Sequence, residues 1–166
     1  MSSTAKKPSS KESEHKEATA ILRADHKLVS KLFADYEKAD SSEEKKSIAD
    51  EICTELTIHA QVEEEIFYPA VKEALGDTEL VPEATVEHAT LKNLIAEVQT
   101  AGLDQEMFDA RIKVMSEYVK HHVKEEQDEM FPKARESKDL DMVELGAQIM
   151  QRKEELMAEM STQAAG

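Results

Sequence analysis

Tryptophan is absent from this chain, cysteine occurs once, and glycine and proline occur four times each in 166 residues. A single cysteine, Cys53, excludes an internal disulfide, fits a reducing compartment and argues against a thiolate metal site. Scarce glycine and proline leave few turn positions. Together with abundant Ala, Glu, Lys, Leu and Met, this favours long helices over sheet. Positive charge is also in deficit, with 21 basic against 36 acidic residues and a net charge of −15. Such a surface repels nucleic-acid phosphate and anionic lipid, so neither nucleic acid nor membrane is an expected partner. No stretch approaches the ~18 consecutive apolar residues of a membrane span. Residues 1–16, MSSTAKKPSSKESEHK, contain no apolar run and read as a disordered tail, not a signal peptide. The expected location is the cytoplasm.

What is present is helical rhythm. Four stretches carry apolar or special residues at alternating steps of four and three. They read Leu22, His26, Val29, Phe33, Tyr36; then Ile52, Leu56, His59, Glu63, Ile66, Ala70; then Ala84, His88, Leu91, Ile95, Val98; then Phe108, Ile112, Met115, Val119, His122, Glu126. Residues at this rhythm share one helix face and point into a core. Short breaks separate the stretches: Ala39 to Ser42 with Ser42 as a helix cap, Gly76-Asp77 with Pro82 following, and Gly102 with Asp104 as a cap. Short connections make neighbours antiparallel, so the expected fold is all-α, an up-down-up-down four-helix bundle over residues 17–135. Residues 136–166 form a C-terminal segment. Within it, over roughly 139–160, Met142, Leu145, Ile149, Leu156 and Met160 mark one face of a fifth helix. That face packs either on the bundle or, as a homodimer, against a second subunit.

One pattern occurs twice: His26 then His59 and Glu63, and His88 then His122 and Glu126. The histidines are 33 and 34 residues apart, and each His/Glu pair runs into an aromatic-Pro stop, HAQVEEEIFYP at 59–69 and HVKEEQDEMFP at 122–132. The halves also align as ADHKLVSKLFADY (24–36) and VEHATLKNLIAEV (86–98), with an acid before each His. This is one helical hairpin used twice.

The core-facing rows are apolar except at these six positions. Burying an unpaired carboxylate costs several kcal/mol, and buried imidazoles also need partners. At a rise of ~1.5 Å per residue, counting from the connections puts all six at nearly one depth. A His/Glu pair at i and i+4 projects from one face, so the His can bind one cation while the Glu reaches a second. Imidazole and carboxylate together suit iron, zinc or manganese.

The order H…HxxxE…H…HxxxE on four helices, with a proline shortly after each pair, resembles the hemerythrin-like, HHE cation-binding family over roughly residues 20–133. The resemblance implies a non-haem di-iron centre in the bundle core. His26, His59, His88 and His122 would be terminal ligands, with Glu63 and Glu126 bridging two irons alongside an oxo or hydroxo group. The oxygen carriers of that family have HxxxH on the third helix and HxxxxD on the fourth. Here Lys92 stands four residues after His88 and Gln127 five after His122. The resemblance therefore points to the broader group associated with O2, NO or peroxide and with iron handling, not to a dedicated carrier.

Tyr118 and Glu55, at equivalent positions one turn before His122 and His59, are candidate additional ligands or hydrogen-bond partners. His121 points ~100° away from His122 and is expected at the surface. Glu64, Glu65, Glu125, Asp128 and Glu129 are expected on the solvated face, one of them serving to orient a ligand imidazole. Met115 and Met130 are expected to fill core. Three functions fit: a di-iron protein that binds O2, NO or peroxide for sensing or handling; a di-iron enzyme with peroxidase-like, catalase-like or ferroxidase activity; and a metal-stabilised interaction protein.

Overall fold

The computed structural model describes residues 17–76, 78–102 and 104–164. The expected tail over 1–16 lies outside the described residues, as does Asp77 of the second break. Seven α-helices occur among the described residues: α1 (Ala18–Lys38), α2 (Ser42–Val62), α3 (Tyr68–Leu75), α4 (Leu80–Gln99), α5 (Gln105–Glu125), α6 (Phe131–Glu136) and α7 (Met142–Ala164). No strand occurs among them.

The helix starts follow from side chains that satisfy otherwise unpaired backbone N–H groups. Glu17 accepts from Thr19 N and Ala20 N at the head of α1, and Asp104 accepts from Glu106 N and Met107 N at the head of α5. For α2 the cap is Ser41, not the expected Ser42: Ser41 Oγ accepts from Glu44 N at 3.1 Å. This is the spacing of a capping box, with Glu44 three residues on. Gly76 closes α3 with φ at 69°, a conformation that side chains other than glycine rarely adopt.

The expected stop at each aromatic-Pro pair does not occur. α2 runs on into α3 through a π-helical turn, Glu63–Phe67, and α5 runs on into α6 through a second, Glu126–Met130. In each, the register widens by one residue: Tyr68 N–H donates to the Glu63 carbonyl, and Phe131 N–H to the Glu126 carbonyl. A proline inside an α-helix clashes with the carbonyl four residues back and lacks an N–H for it. The wider turn relieves both problems, so Pro69 and Pro132 sit in the first turn of the continuing helix.

α1 packs on α2, α2 on α4, α4 on α5 and α5 back on α1, which closes the four-helix ring. Inside it are two apolar clusters. One centres on Phe33, Ile52, Leu56, Ile95 and Met115, the other on Leu22, Val62, Phe67, Val71 and Phe131. Along each helix, the repeated His and Glu positions fall between the two. α7 lies across α1 and α2. Its apolar face adds Leu145, Ile149 and Leu156 to the second cluster, so the C-terminal helix packs on its own bundle. Val143, Met150 and Met157 remain exposed on α7.

Ile149 is fully buried. Ile149→Ala is expected to destabilise the protein by about 2–5 kcal/mol, read as a lower midpoint in urea unfolding followed by circular dichroism.

Candidate metal centre

The sequence spacing and the bundle together bring all six repeated residues to one place. Nε2 of His26 (α1) lies 3.2 Å from Nε2 of His59 (α2), and Nε2 of His88 (α4) lies 3.2 Å from Nε2 of His122 (α5). The carboxylates stand between these pairs. Glu126 places Oε1 3.2 Å from His26 Nε2 and Oε2 3.5 Å from His122 Nε2. Glu63 Oε1 lies 2.7 Å from His59 Nε2 and 3.6 Å from His88 Nε2. The donors sort into two groups, His26/His59/Glu126 and His88/His122/Glu63, each with its ligating atoms within 4.8 Å of one another. Each group takes two histidines from one half of the repeat and its carboxylate from the other half.

Outer partners orient the rings. His59 Nδ1–H donates to Asp25 Oδ2 at 2.9 Å, and His122 Nδ1–H donates to Glu87 Oε2 at 2.6 Å. An acid on Nδ1 puts the proton there and leaves the Nε2 lone pair facing the centre. Asp25 and Glu87 are the acids that precede His26 and His88, and each serves the histidine of the neighbouring helix. Two further partners follow the carboxylates. Gln127 Nε2 lies 2.8 Å from His26 Nδ1, and Glu64 Oε2 lies 3.7 Å from His88 Nδ1. Of the five acids expected on the solvated face, Glu64 is the one that comes near any of the four inward rings, at a distance too long for a hydrogen bond. His121 is exposed and pairs with Glu125 at 3.2 Å, as its phase requires.

Tyr118 and Glu55 make no hydrogen bond to any of the six. Tyr118 packs against the first apolar cluster, and Glu55 is half-buried outside both donor groups. The phenol at the centre is Tyr68. Its hydroxyl donates to Glu126 Oε2 at 2.6 Å and lies 3.1 Å from His88 Nε2 and 3.4 Å from His122 Nε2. In a regular helix Tyr68 would stand about 140° around from Glu63. The π-turn between them brings the two onto nearly the same face, which helical periodicity does not reveal. The equivalent residue of the other half is Phe131, stacked on the His26 ring with centroids 5.8 Å apart.

The residues present fit a cation. Glu63 is completely buried, yet neither of its oxygens is in hydrogen-bonding geometry with a donor; Glu126 Oε1 is likewise unsatisfied. Buried ionised groups left this way cost several kcal/mol each. Without a cation, protons would take up the demand. Burial, and then the charge of Glu126, push Glu63 up to about 8. His122 is pushed up to about 9, because its hydrogen bond to Glu126 and the surrounding carboxylate charge outweigh burial. His59 moves well above the usual range against burial, held by Glu63 and Asp25. Burial and the neighbouring His122 press His88 down to about 3. A divalent ion at each donor group would displace these protons and satisfy the unpaired carboxylate oxygens.

The sequence matches the hemerythrin HHE cation binding domain over residues 17–134. The chain belongs to this family. A similar solved structure is a hemerythrin HHE cation binding domain-containing protein from Mycobacterium kansasii. It is 23% identical, covers 86% of this chain and 88% of its own, and has a TM-score of 0.73. This shows the same fold. The chain is also 26% identical over 111 residues to a Nostoc protein named DNA nickase. The match covers 67% of this chain and only 31% of that relative. An HHE domain built on two hairpins accounts for the repeat, for the paired HxxxE positions and for the orphaned carboxylates in the core.

Without a metal ion, these groups would make stability depend on pH. Glu63 binds its proton more tightly folded than unfolded, between 4.5 and about 8, and His122 does so between 6.5 and about 9. A raised folded value gives stability that is complete below the unfolded value and lost as pH rises through the folded one. His88, depressed from 6.5, contributes its full share once pH exceeds 6.5. The metal-free protein should therefore lose thermal stability between pH 6.5 and about 9. Calorimetric Tm values across that range, with and without added metal ion, check this, and loading should flatten the slope.

Proposed function

We infer that this HHE domain holds two iron ions, one at His26/His59/Glu126 and one at His88/His122/Glu63, and that it binds a small ligand of the O2, NO or peroxide class. The observation that carries the reading is the pair of buried carboxylates set between two histidine pairs, with both oxygens of Glu63 and Oε1 of Glu126 lacking hydrogen-bond donors. Nitrogen and oxygen donors in this proportion suit iron, and zinc and manganese accept the same donors. Iron bound there would supply reversible one-electron chemistry and open coordination positions to a small molecule.

The chain's own residues shape the rest. Lys92, at the position where a fifth histidine would stand, turns outward to Glu64 at 2.7 Å and leaves the centre to four histidines. A cavity of about 20 Å³ lies among the four histidines, walled by Val29, Leu56, Leu91, Val119 and Val123. That is room for roughly one water-sized or diatomic molecule. The apolar walls favour O2 or NO over larger polar substrates. Asp25, Glu87 and Gln127 hold three of the rings in place, and the two apolar clusters exclude bulk water.

A second reading, a peroxide-reducing enzyme, is favoured by Tyr68. Its hydroxyl is a proton donor placed against Glu126 and the His88/His122 pair, and burial pushes its acidity far below that of a free phenol. It keeps its proton at the oxygen until a stronger base forms beside it.

The anaerobically reduced, iron-loaded protein is expected to hold two irons per chain and to change its visible spectrum on addition of O2. Zinc alone in the native protein, or an unchanged spectrum, would count against the reading. Glu63→Ala should lose at least one metal by elemental analysis. Leu91→Phe fills the cavity, so it should keep both metals while the response to O2 disappears. Tyr68→Phe should retain metal and, if the protein turns over peroxide, lower kcat about 10²-fold or more. An unaltered kcat would assign Tyr68 to packing alone.

A further inference from the structure

The two donor groups have the same ligand types, two histidines and a carboxylate, with the Tyr68 hydroxyl beside the His88/His122 pair; behind the ligands a further difference comes from α7. Asp25, the acceptor behind His59, is held from its other side by Lys153 of α7, whose Nζ donates to Oδ1 while Oδ2 accepts from His59. Both members are secluded, with the Lys153 side chain 15% exposed and that of Asp25 8% exposed. Water therefore screens this ion pair little. Next to it, α7 is fastened by Arg152 to Glu65 at 2.7 Å.

The other half has no counterpart. Glu87, the acceptor behind His122, has no cationic partner among the described residues. Glu64, beside His88, is paired with Lys92, but that lysine is 56% exposed and its charge is largely screened. His26 is backed by the neutral Gln127. The His26/His59 group is thus backed by an anion already neutralised by α7 and by a neutral amide. The His88/His122 group is backed by an uncompensated carboxylate. A carboxylate behind an imidazole raises its strength as a ligand, and drawing that charge away lowers it.

We propose that α7 makes the two metal positions unequal: Lys153, acting through Asp25, weakens the His26/His59/Glu126 position, so the His88/His122/Glu63 position fills first. Lys153 is a positioning residue in this scheme, and the C-terminal helix is part of the metal centre's outer structure. The proposal rests on the metal reading above, and the test separates the two.

Anaerobic titration of the full chain with Co²⁺, followed by visible absorption, reads each position as it fills. The wild type should show two steps separated by about tenfold in Kd. His88→Ala should remove the tighter step and His59→Ala the weaker one. In Lys153→Met the weaker step should tighten by about tenfold while the tighter one stays put, and Lys153→Arg should restore the wild-type separation. Arg152→Gln loosens the same helix without touching Asp25 and should leave both steps unchanged. If Lys153→Met unfolds, Asp25→Asn gives the opposite arm: the weaker step loosens while the tighter one holds. Equal steps in the wild type, no shift in Lys153→Met, or the same shift in Arg152→Gln would overturn the proposal and reduce α7 to packing. A wild type that takes up no Co²⁺ would instead overturn the metal reading, and this proposal with it.

Discussion

Glu63 and Glu126 are buried side by side in the middle of an apolar bundle, each close enough to shift the proton binding of the other. Two carboxylates in that position repel one another and have lost their water. The surrounding structure compensates for this: four imidazoles turned inward, a phenol hydroxyl, and two outer acids, Asp25 and Glu87, that fix the tautomers of His59 and His122. Even so, the compensation among protein atoms is incomplete, since both oxygens of Glu63 lack donors. The site is close to neutral only with protons or cations in it, and this links the fold's stability to what occupies the core.

The duplication explains how such a site can be assembled. A single hairpin carries two histidines and one carboxylate. Packed against its copy, it lends its carboxylate to the other hairpin's histidines, so neither half completes a donor group alone. The π-turns belong to the same design. Each begins at the shared carboxylate, passes a proline without breaking the rod, and rotates the following aromatic residue inward. The halves then diverge where chemistry needs it, with Tyr68 in one and Phe131 in the other, and Glu64 in one and Gln127 in the other.

α7 adds a second level of asymmetry. Its apolar face closes the cluster around Phe67 and Phe131, while Lys153 reaches past that cluster to Asp25. A helix outside the four-helix ring therefore contacts the centre through one intervening side chain. Packing and electrostatics meet on a single element here, and substitutions on α7 act on both unless they are chosen to separate them.

Much of this was legible in the residues alone. The four-three rhythm established the helices, short breaks made them antiparallel, and the spacing of six polar residues within apolar rows located the centre. These are local or periodic properties, and one chain read in order contains them. The acids preceding His26 and His88 were visible too, although their use was not, because each serves a histidine 34 or 35 residues away on another helix. Tyr68 was hidden for a different reason: it lies out of phase until a π-turn resets the register ahead of the proline that follows. Tyr118, in phase, packs at the edge instead. The placement of α7 on its own bundle, with Lys153 on Asp25, was decided only by the tertiary structure. An amphipathic helix shows that it needs a partner, but which surface it covers depends on complementary shape and charge contributed by residues more than a hundred positions away.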